Sequence, residues 1–322
     1  LEFVHEGRIH ADINQIRSDH GGTVTGRFSM SNPNLQQIPS KGIIGKKMRS
    51  LFIPEEGHTW GSFDYSQQEP RIVVHYALKL NLYGTDTLEK EFNKEDADFH
   101  QIVADMAQIP RITAKTINLG LFYGMGKLKL QDELNLTKEK AKKLFDDYHQ
   151  KVPFVKQLSL DLINFAEVHK ILFTLGDRFC RFNKWETRDR EWDNSLNRYT
   201  KVAILTKEDA KTEFKAKLLT LFKDNIADNY MDNFENYYKP AFTYKALNRL
   251  IQGSAADMTK TAMVNLYKQG IVPHIQIHDE LCISIKNDKQ AEEITKTMEI
   301  ALPLIIKNKV NCKKGKNWGN IK

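Results

Sequence analysis

From Val272 to Ile285 the chain reads Val-Pro-His-Ile-Gln-Ile-His-Asp-Glu-Leu-Cys-Ile-Ser-Ile, with apolar residues at Ile275, Ile277, Leu281, Ile283 and Ile285. A period of two is the mark of a strand with one buried face. Asp279 falls on the same parity. One straight strand would push its carboxylate into the core, at a cost of several kcal/mol unless a cation or hydrogen-bond donors meet it. Either the chain turns at His278-Asp279-Glu280, or something positive waits there. A hairpin turn is the plain structural reading. The turn chemistry is poor, however: no Asn-Gly, Asp-Gly or glycine pair supplies the positive φ that tight hairpins prefer. Three ionisable groups at an apolar hairpin tip also suit a divalent metal.

At 322 residues, 41% hydrophobic and 28% charged, the chain can bury a sizeable core as one large domain or two intimate ones. Its net charge of +7 favours a polyanionic partner. Cys180, Cys282 and Cys312 are odd in number and lack metal-type spacing, so reduced thiols in a cytoplasmic compartment are expected. No apolar run approaches a membrane span and no signal peptide opens the chain, which begins at Leu1 in mid-pattern, as a fragment or processed piece would. Residues Asp177 to Pro240 are charged and aromatic, with Trp185, Trp192, Tyr230, Tyr237 and Tyr238, and Lys211 to Lys223 reads as an amphipathic helix. This stretch is expected to be a surface insertion with its own small helical cluster.

A second carboxylate ends a strand-like run at Asp64, before a helical pattern of Ile72, Val73, Tyr76 and Ala77. Ser66 and Glu69 have the spacing of a capping box, which gives Glu69 a purely structural reading. Pro70 fits that reading poorly, because proline prefers the first helical position. Further on, Arg111, Lys115, Leu119 and Tyr123 recur every four residues, so a helix would carry them on one broad face. A solvated face is the plain reading. Yet like charges one turn apart destabilise a helix slightly unless an anion lies between them. A triphosphate suits, bound by the arginine fork and the lysine point charge. Leu119 and Tyr123 would then meet a sugar and a base.

These motifs resemble, in order, those of the palm and fingers of a family A DNA polymerase, the bacterial polymerase I type, in a phage-like version. The run is Thr25-Gly-Arg-Phe-Ser-Met-Ser-Asn-Pro-Asn-Leu-Gln-Gln-Ile-Pro39, Asp64-Tyr-Ser-Gln-Gln-Glu-Pro-Arg71, the Arg111 to Gly124 segment, Asn248-Arg-Leu-Ile-Gln-Gly-Ser-Ala-Ala-Asp257 and His278-Asp-Glu280. The ending Gly315-Lys-Asn-Trp-Gly319 is similar as well. The resemblance implies an α+β fold of right-hand architecture, with an antiparallel palm sheet, helical fingers and the thumb essentially missing. It divides the chain into the start of the palm with a thumb remnant (1–97), fingers (98–176), the insertion (177–240) and the second part of the palm (241–322).

The same resemblance implies template-directed addition of dNTPs to a primer 3′ end, in replication (of a virus, by the phage likeness) or repair. Asp64 and Asp279 would hold two Mg²⁺ about 4 Å apart, with the backbone carbonyl of Tyr65 as a further ligand and Glu280 as a secondary acidic group. Arg111, Lys115 and His100 would contact the triphosphate, and Lys115 would also protonate the leaving group. Gln67 and Leu119 belong to the same nucleotide site. Glu69 would lie over the sugar 2′ position beside Tyr123, which would occupy the template-base position until the fingers close. Arg27, Arg71, Asn248, Gln252 and His278 would touch primer-template DNA, reading pair shape rather than sequence. A processivity factor or other replisome protein is the further partner implied, and no membrane.

Three departures stand out. Leu119 replaces the family's usual Phe or Tyr, Pro70 replaces a common Leu, and Tyr244 replaces an Arg eight residues before Gln252. The stretch Gly42 to Lys47 only mimics a phosphate loop, since its spacing is wrong for one. Two rival readings are a single-subunit RNA polymerase, which shares the Arg, Lys and Tyr-Gly pattern, and a catalytically dead DNA-binding homologue. Glu69 with the Asp279-Glu280 pair favours the DNA enzyme over the first. Intact Asp64 and Asp279 weigh against the second.

Overall fold

The computed structural model describes residues 2–18, 21–94, 97–122, 125–189, 192–193, 198–199, 203–220 and 224–322. The chain forms two compact units, with residues 1–158, 173–178 and 248–322 in the first and residues 159–172 and 179–247 in the second. The expected α+β fold is what is found. None of the described helices is long and apolar enough to cross a membrane.

The first unit is organised by a four-stranded antiparallel sheet in the order Ile275–Ile277, Glu280–Ile285, Thr59–Tyr65, Val310–Gly315. The question raised by Asp279 is settled by a turn. Ile277 pairs with Glu280, which leaves His278 and Asp279 as a two-residue hairpin loop. His278 itself supplies the positive φ, at +54°, a conformation that L-residues other than Asn, Asp and His seldom take. A two-residue loop also divides the apolar parity between two faces. Leu281 and Ile283 pair with Phe63 and Gly61, while Ile275 and Ile277 pair with Cys282 and Glu280 on the opposite face. The sheet is therefore covered on both sides, not half-buried.

One face carries Phe63, Leu281, Ile283 and Ile285, all at most 1% exposed. Gly61 is required there, because a Cβ would come within 2.7 Å of the Phe63 ring. The other face packs Trp60, Ile275, Ile277 and Cys282 against Trp318, with Phe52 edge-on to Trp318. The helix Asp288–Glu299 buries Ala291, Ile294 and Met298, and the Tyr65 hydroxyl donates to the Met298 carbonyl at 2.7 Å. Two further helices, Gln68–Lys79 and Ala246–Lys268, are tied by the Gln68 amide, which donates to the Ala255 carbonyl and the Thr259 hydroxyl.

The second unit has an aromatic core of its own: Trp185, Phe214, Phe234 and Tyr238, with Ala210, Leu218 and Ala227. Strand Trp185–Thr187 pairs antiparallel with Tyr238–Pro240, and the Phe234 and Tyr238 rings stack at 5.0 Å. Its main helix runs Lys207–Leu219 rather than from Lys211, because the Thr206 hydroxyl accepts from the Asp209 amide and starts it earlier. Residues 221–223, the end of the helix expected from sequence, lie outside the described residues.

Candidate nucleotide and metal site

The sheet register brings Asp64, at the end of its central strand, beside the turn that carries Asp279. The Tyr65 amide donates to the Asp279 carbonyl at 3.3 Å, which fixes the two chain segments side by side. Asp64 is exposed in a strand that is buried from Trp60 to Phe63 and again at Tyr65. Desolvation by the surrounding packing, and then the like charges of Asp279 and Glu280, push its carboxyl up to about 7. Asp279 is raised too, chiefly by burial, against the pull of a backbone hydrogen bond, Arg27 and His278. Neither carboxylate has an ion-pair partner among the described residues. Two carboxylates of like charge on neighbouring chain segments make a hard-oxygen donor pair of the kind that Mg²⁺-like cations take. The residues present fit such an ion.

Glu280 does not join them. It is the cross-strand partner of Asp64, but its Oε1 accepts from the Ser62 hydroxyl, the Cys282 thiol and the Trp318 indole N–H. Among the described residues no group of three or more His, Cys, Asp or Glu side chains is arranged to hold a metal. The Ser62, Cys282 and Trp318 donors tie Glu280 Oε1 into the sheet face it shares with Asp64, so this expected metal ligand is already engaged there. The capping-box spacing of Ser66 and Glu69, the purely structural reading, is not realised as a cap. The cap of the Gln68–Lys79 helix is Gln67 in the left-handed region (φ +54°), with no side-chain cap bond. Ser66 instead donates its amide to the Lys309 carbonyl, and Glu69 pairs with Arg27. Pro70 falls within the first turn, where its missing N–H has no intrahelical partner to lose.

Gln67, expected at the nucleotide, spends its amide on the backbone: its nitrogen donates to the Ala97 carbonyl and its oxygen accepts from the Phe99 amide. Arg71, expected at DNA, is 2% exposed. Its guanidinium donates to the carbonyls of Ser66, Phe92 and Lys307. A group so enclosed cannot reach a duplex, and Arg71 is corrected to an internal clamp.

The strip on helix Arg111–Phe122 faces away from the buried side formed by Ala114, Ile117, Asn118 and Phe122. Lys115 is exposed, with no ion pair or hydrogen bond among the described residues, and Leu119 is half-buried. Arg111 is held by Asp98, to which Nε and Nη2 donate at 2.9 and 2.6 Å. The other Asp98 oxygen caps helix Phe99–Ala107 through the His100 and Gln101 amides. His100 is buried, and its Nδ1 meets the Asn118 amide at 3.2 Å. Desolvation lowers its pKa, with Asp98 pulling the other way. Tyr123 lies outside the described residues.

On helix Ala246–Lys268, Asn248 and Gln252 sit one turn apart and half-buried. The Asn248 Nδ2 is buried without a hydrogen-bond partner among the described residues, a donor left for a ligand. His278 is exposed at the hairpin tip. Residues that the sequence did not single out hold these groups in place. The buried Gln276 amide donates to the His278 carbonyl and accepts from Gln36. Arg178 ties Asp257 to the Thr25 and Gly253 carbonyls. Only long-range contacts reveal them.

Compared with known proteins, residues 1–320 match the sequence model of the family described as DNA polymerase family A. The chain is 32% identical to a DNA-directed DNA polymerase of Pseudomonas phage M6, over 98% of this chain and 47% of that protein. It is 29% identical to DNA polymerase I of Borreliella burgdorferi, over 98% of this chain and 30% of that one. Among solved structures it resembles the POL domain of Pol1 from M. smegmatis, in complex with DNA primer-template and dNTP. There the TM-score is 0.69 at 25% identity, covering 99% of this chain and 49% of that one. The chain thus spans about half, or less, of the length of these relatives.

Proposed function

Because the chain belongs to DNA polymerase family A, we propose that it is a template-directed DNA polymerase that extends a primer 3′ end with dNTPs by two-metal-ion nucleotidyl transfer. The observation that carries this reading is the placement of Asp64 at a strand end beside the turn that carries Asp279, two carboxylates with raised pKa and without an ion-pair partner among the described residues. Asp64, Asp279 and the Tyr65 carbonyl are the proposed ligands of two Mg²⁺. An ion held by these residues would lower the pKa of the attacking hydroxyl and offset charge on the triphosphate.

The chain's own residues do the rest by positioning and electrostatics. Lys115 offers its ammonium to the triphosphate and a proton to the leaving group. Arg111 joins it by exchanging the Asp98 carboxylate for phosphate oxygens, an exchange of one charge-assisted bond for another. His100, oriented by Asn118, is a hydrogen-bonding contact to the triphosphate. Glu69 faces the sugar, with Leu119 and Tyr123 beside the sugar and base. Arg27, Asn248, Gln252 and His278 contact primer-template DNA, and the buried Asn248 amide is suited to a minor-groove acceptor. That the M. smegmatis POL domain was solved with primer-template and dNTP supports both partners. Its setting would be replication, viral by the phage relative, or repair.

The test is primer extension with this chain, first with dNTPs and then with rNTPs, in Mg²⁺ and in chelator. Mg²⁺-dependent, template-directed dNTP addition is the expected result. No extension with any nucleotide would overturn the reading.

A further inference from the structure

Glu69 and Arg27 come from segments 42 residues apart, yet the Arg27 Nη2 donates directly to the Glu69 Oε1. Their side chains are only 14% and 23% exposed. The Arg27 cation also attracts the Asp279 carboxylate, which Glu69 repels. One guanidinium therefore bonds the group assigned to the sugar and attracts a group assigned to the metal.

Both ends of this contact are built on fixed backbone. The Glu69 helix is anchored by Gln68 to Ala255 and Thr259. The loop of Arg27 is held from within. The Thr23 hydroxyl donates to the Arg27 carbonyl at 2.8 Å, and the Arg178 guanidinium donates to the Thr25 carbonyl at 2.7 Å. Gly26, at φ +80°, lets that guanidinium lie against the chain: a Cβ there would come within 2.8 Å of it. Arg178 is itself fixed by Asp257, whose second oxygen accepts from the Thr174 hydroxyl. With both backbones fixed, what stays free is the Glu69 side chain, whose rotamers would otherwise interconvert.

We propose that Arg27 is a positioning residue for sugar selection, holding the Glu69 carboxylate in one orientation so that it excludes a 2′-hydroxyl. The inference rests on the polymerase reading above. A carboxylate that swings away leaves room for the hydroxyl, or accepts a bond from it, and either lowers discrimination. Arg27 thereby acts on the incoming sugar through Glu69, whatever it also does at the duplex. Lysine keeps the charge but lacks the planar fork, so it should hold Glu69 less well.

The experiment measures kcat/KM for dNTP and for rNTP in single-nucleotide addition, with DNA affinity and a melting curve alongside. It compares wild type, Arg27→Gln, Arg27→Lys, Glu69→Ala and the Arg27→Gln, Glu69→Ala double variant. The dNTP-to-rNTP ratio should fall about tenfold in Arg27→Gln, the equivalent of one hydrogen bond to a charged group. In Arg27→Lys it should fall about threefold, in keeping with a charge held without the fork, and Arg27→Gln should lower it no further once Glu69 is alanine. If Arg27→Gln does not fold, Arg27→Lys carries the test. An unchanged ratio with weakened DNA binding assigns Arg27 to the duplex alone and overturns the inference, as do additive losses in the double variant. A wild-type chain that adds neither nucleotide overturns the polymerase reading and this inference with it.

Discussion

Asp64 and Glu280 are direct partners across the sheet, yet of the two only Glu280 is met by hydrogen-bond donors among the described residues. Its carboxylate is bound by Ser62, Cys282 and Trp318. Two adjacent acids of like charge thus have different work. Asp64→Asn should abolish primer extension while leaving DNA affinity nearly intact. Glu280→Gln should keep extension within about tenfold of wild type and lower stability by about 1–3 kcal/mol, since buried donors lose a charged acceptor. Extension rates and melting curves of the two variants decide it. Equal loss of activity would return Glu280 to the metal site.

The raised carboxyl of Asp64 sets a pH dependence of stability in the absence of metal. Its folded pKa of about 7 lies above the ordinary 3.8. Between those values the native state therefore binds more protons than the unfolded state, and stability falls as pH rises through that window. Asp64 is exposed, so the effect is discounted for screening to about 1 kcal/mol, or about 2 °C in Tm. Asp64→Asn should flatten the decline of Tm between about pH 4 and pH 7. Mg²⁺ should raise the wild-type Tm more at the upper pH than at the lower. Parallel slopes for wild type and variant would remove Asp64 as the source.

On the helix strip, Lys115 has no ion-pair partner among the described residues, while Arg111 is held by Asp98. Lys115→Ala should lower kcat/KM for dNTP by about tenfold to a hundredfold, the equivalent of a charge-assisted contact of about 1.5–3 kcal/mol. Arg111→Ala should cost less, because the bond to Asp98 must be given up before a phosphate is gained. DNA affinity should hold in both. Equal losses in dNTP use and DNA affinity would move Lys115 to the duplex.

Much of this site is legible because its chemistry is local in sequence. Asp64 ends a strand-like run, Asp279 breaks a parity, and Arg111, Lys115 and Leu119 repeat at helical spacing. What is not legible depends on contacts that spacing does not encode. Arg71 reads as a DNA contact until the Lys307 and Phe92 carbonyls close around it. Glu280 reads as a metal ligand until Trp318 reaches it from 38 residues away. The capping box has the right spacing, but Gln67 enters the left-handed region and starts the helix itself. The hairpin lacks the glycine that such turns prefer, and His278 takes the positive φ in its place. With the turn come two buried faces where a period of two implies one.

Arg71→Ala should act on folding. It removes three hydrogen bonds to backbone carbonyls and leaves those acceptors buried, at about 1–3 kcal/mol for each group left unsatisfied. The variant should lose several degrees of Tm or fail to accumulate in soluble form. Any soluble fraction should bind primer-template with affinity close to wild type. A stable variant that binds DNA weakly would restore the contact to DNA.

His278 carries the turn that sets Asp279 beside Asp64, and it does so in a conformation that glycine adopts more readily. A non-glycine residue in the left-handed region costs on the order of 1 kcal/mol, less for His than for most. His278→Gly relieves that strain but frees the unfolded chain, an opposing cost of similar size. Stability should therefore change by less than about 1 kcal/mol in either direction. Activity should not be spared, because the imidazole at the hairpin tip is among the groups assigned to primer-template DNA. Extension should slow through weaker primer binding, read as a higher KM for primer-template with kcat less affected. His278→Ala, which keeps the strain and loses the ring, should lose both stability and extension. If His278→Gly extends primers as well as wild type, histidine is there for the turn alone. If instead it unfolds, the hairpin depends on contacts of the imidazole that the backbone argument does not include.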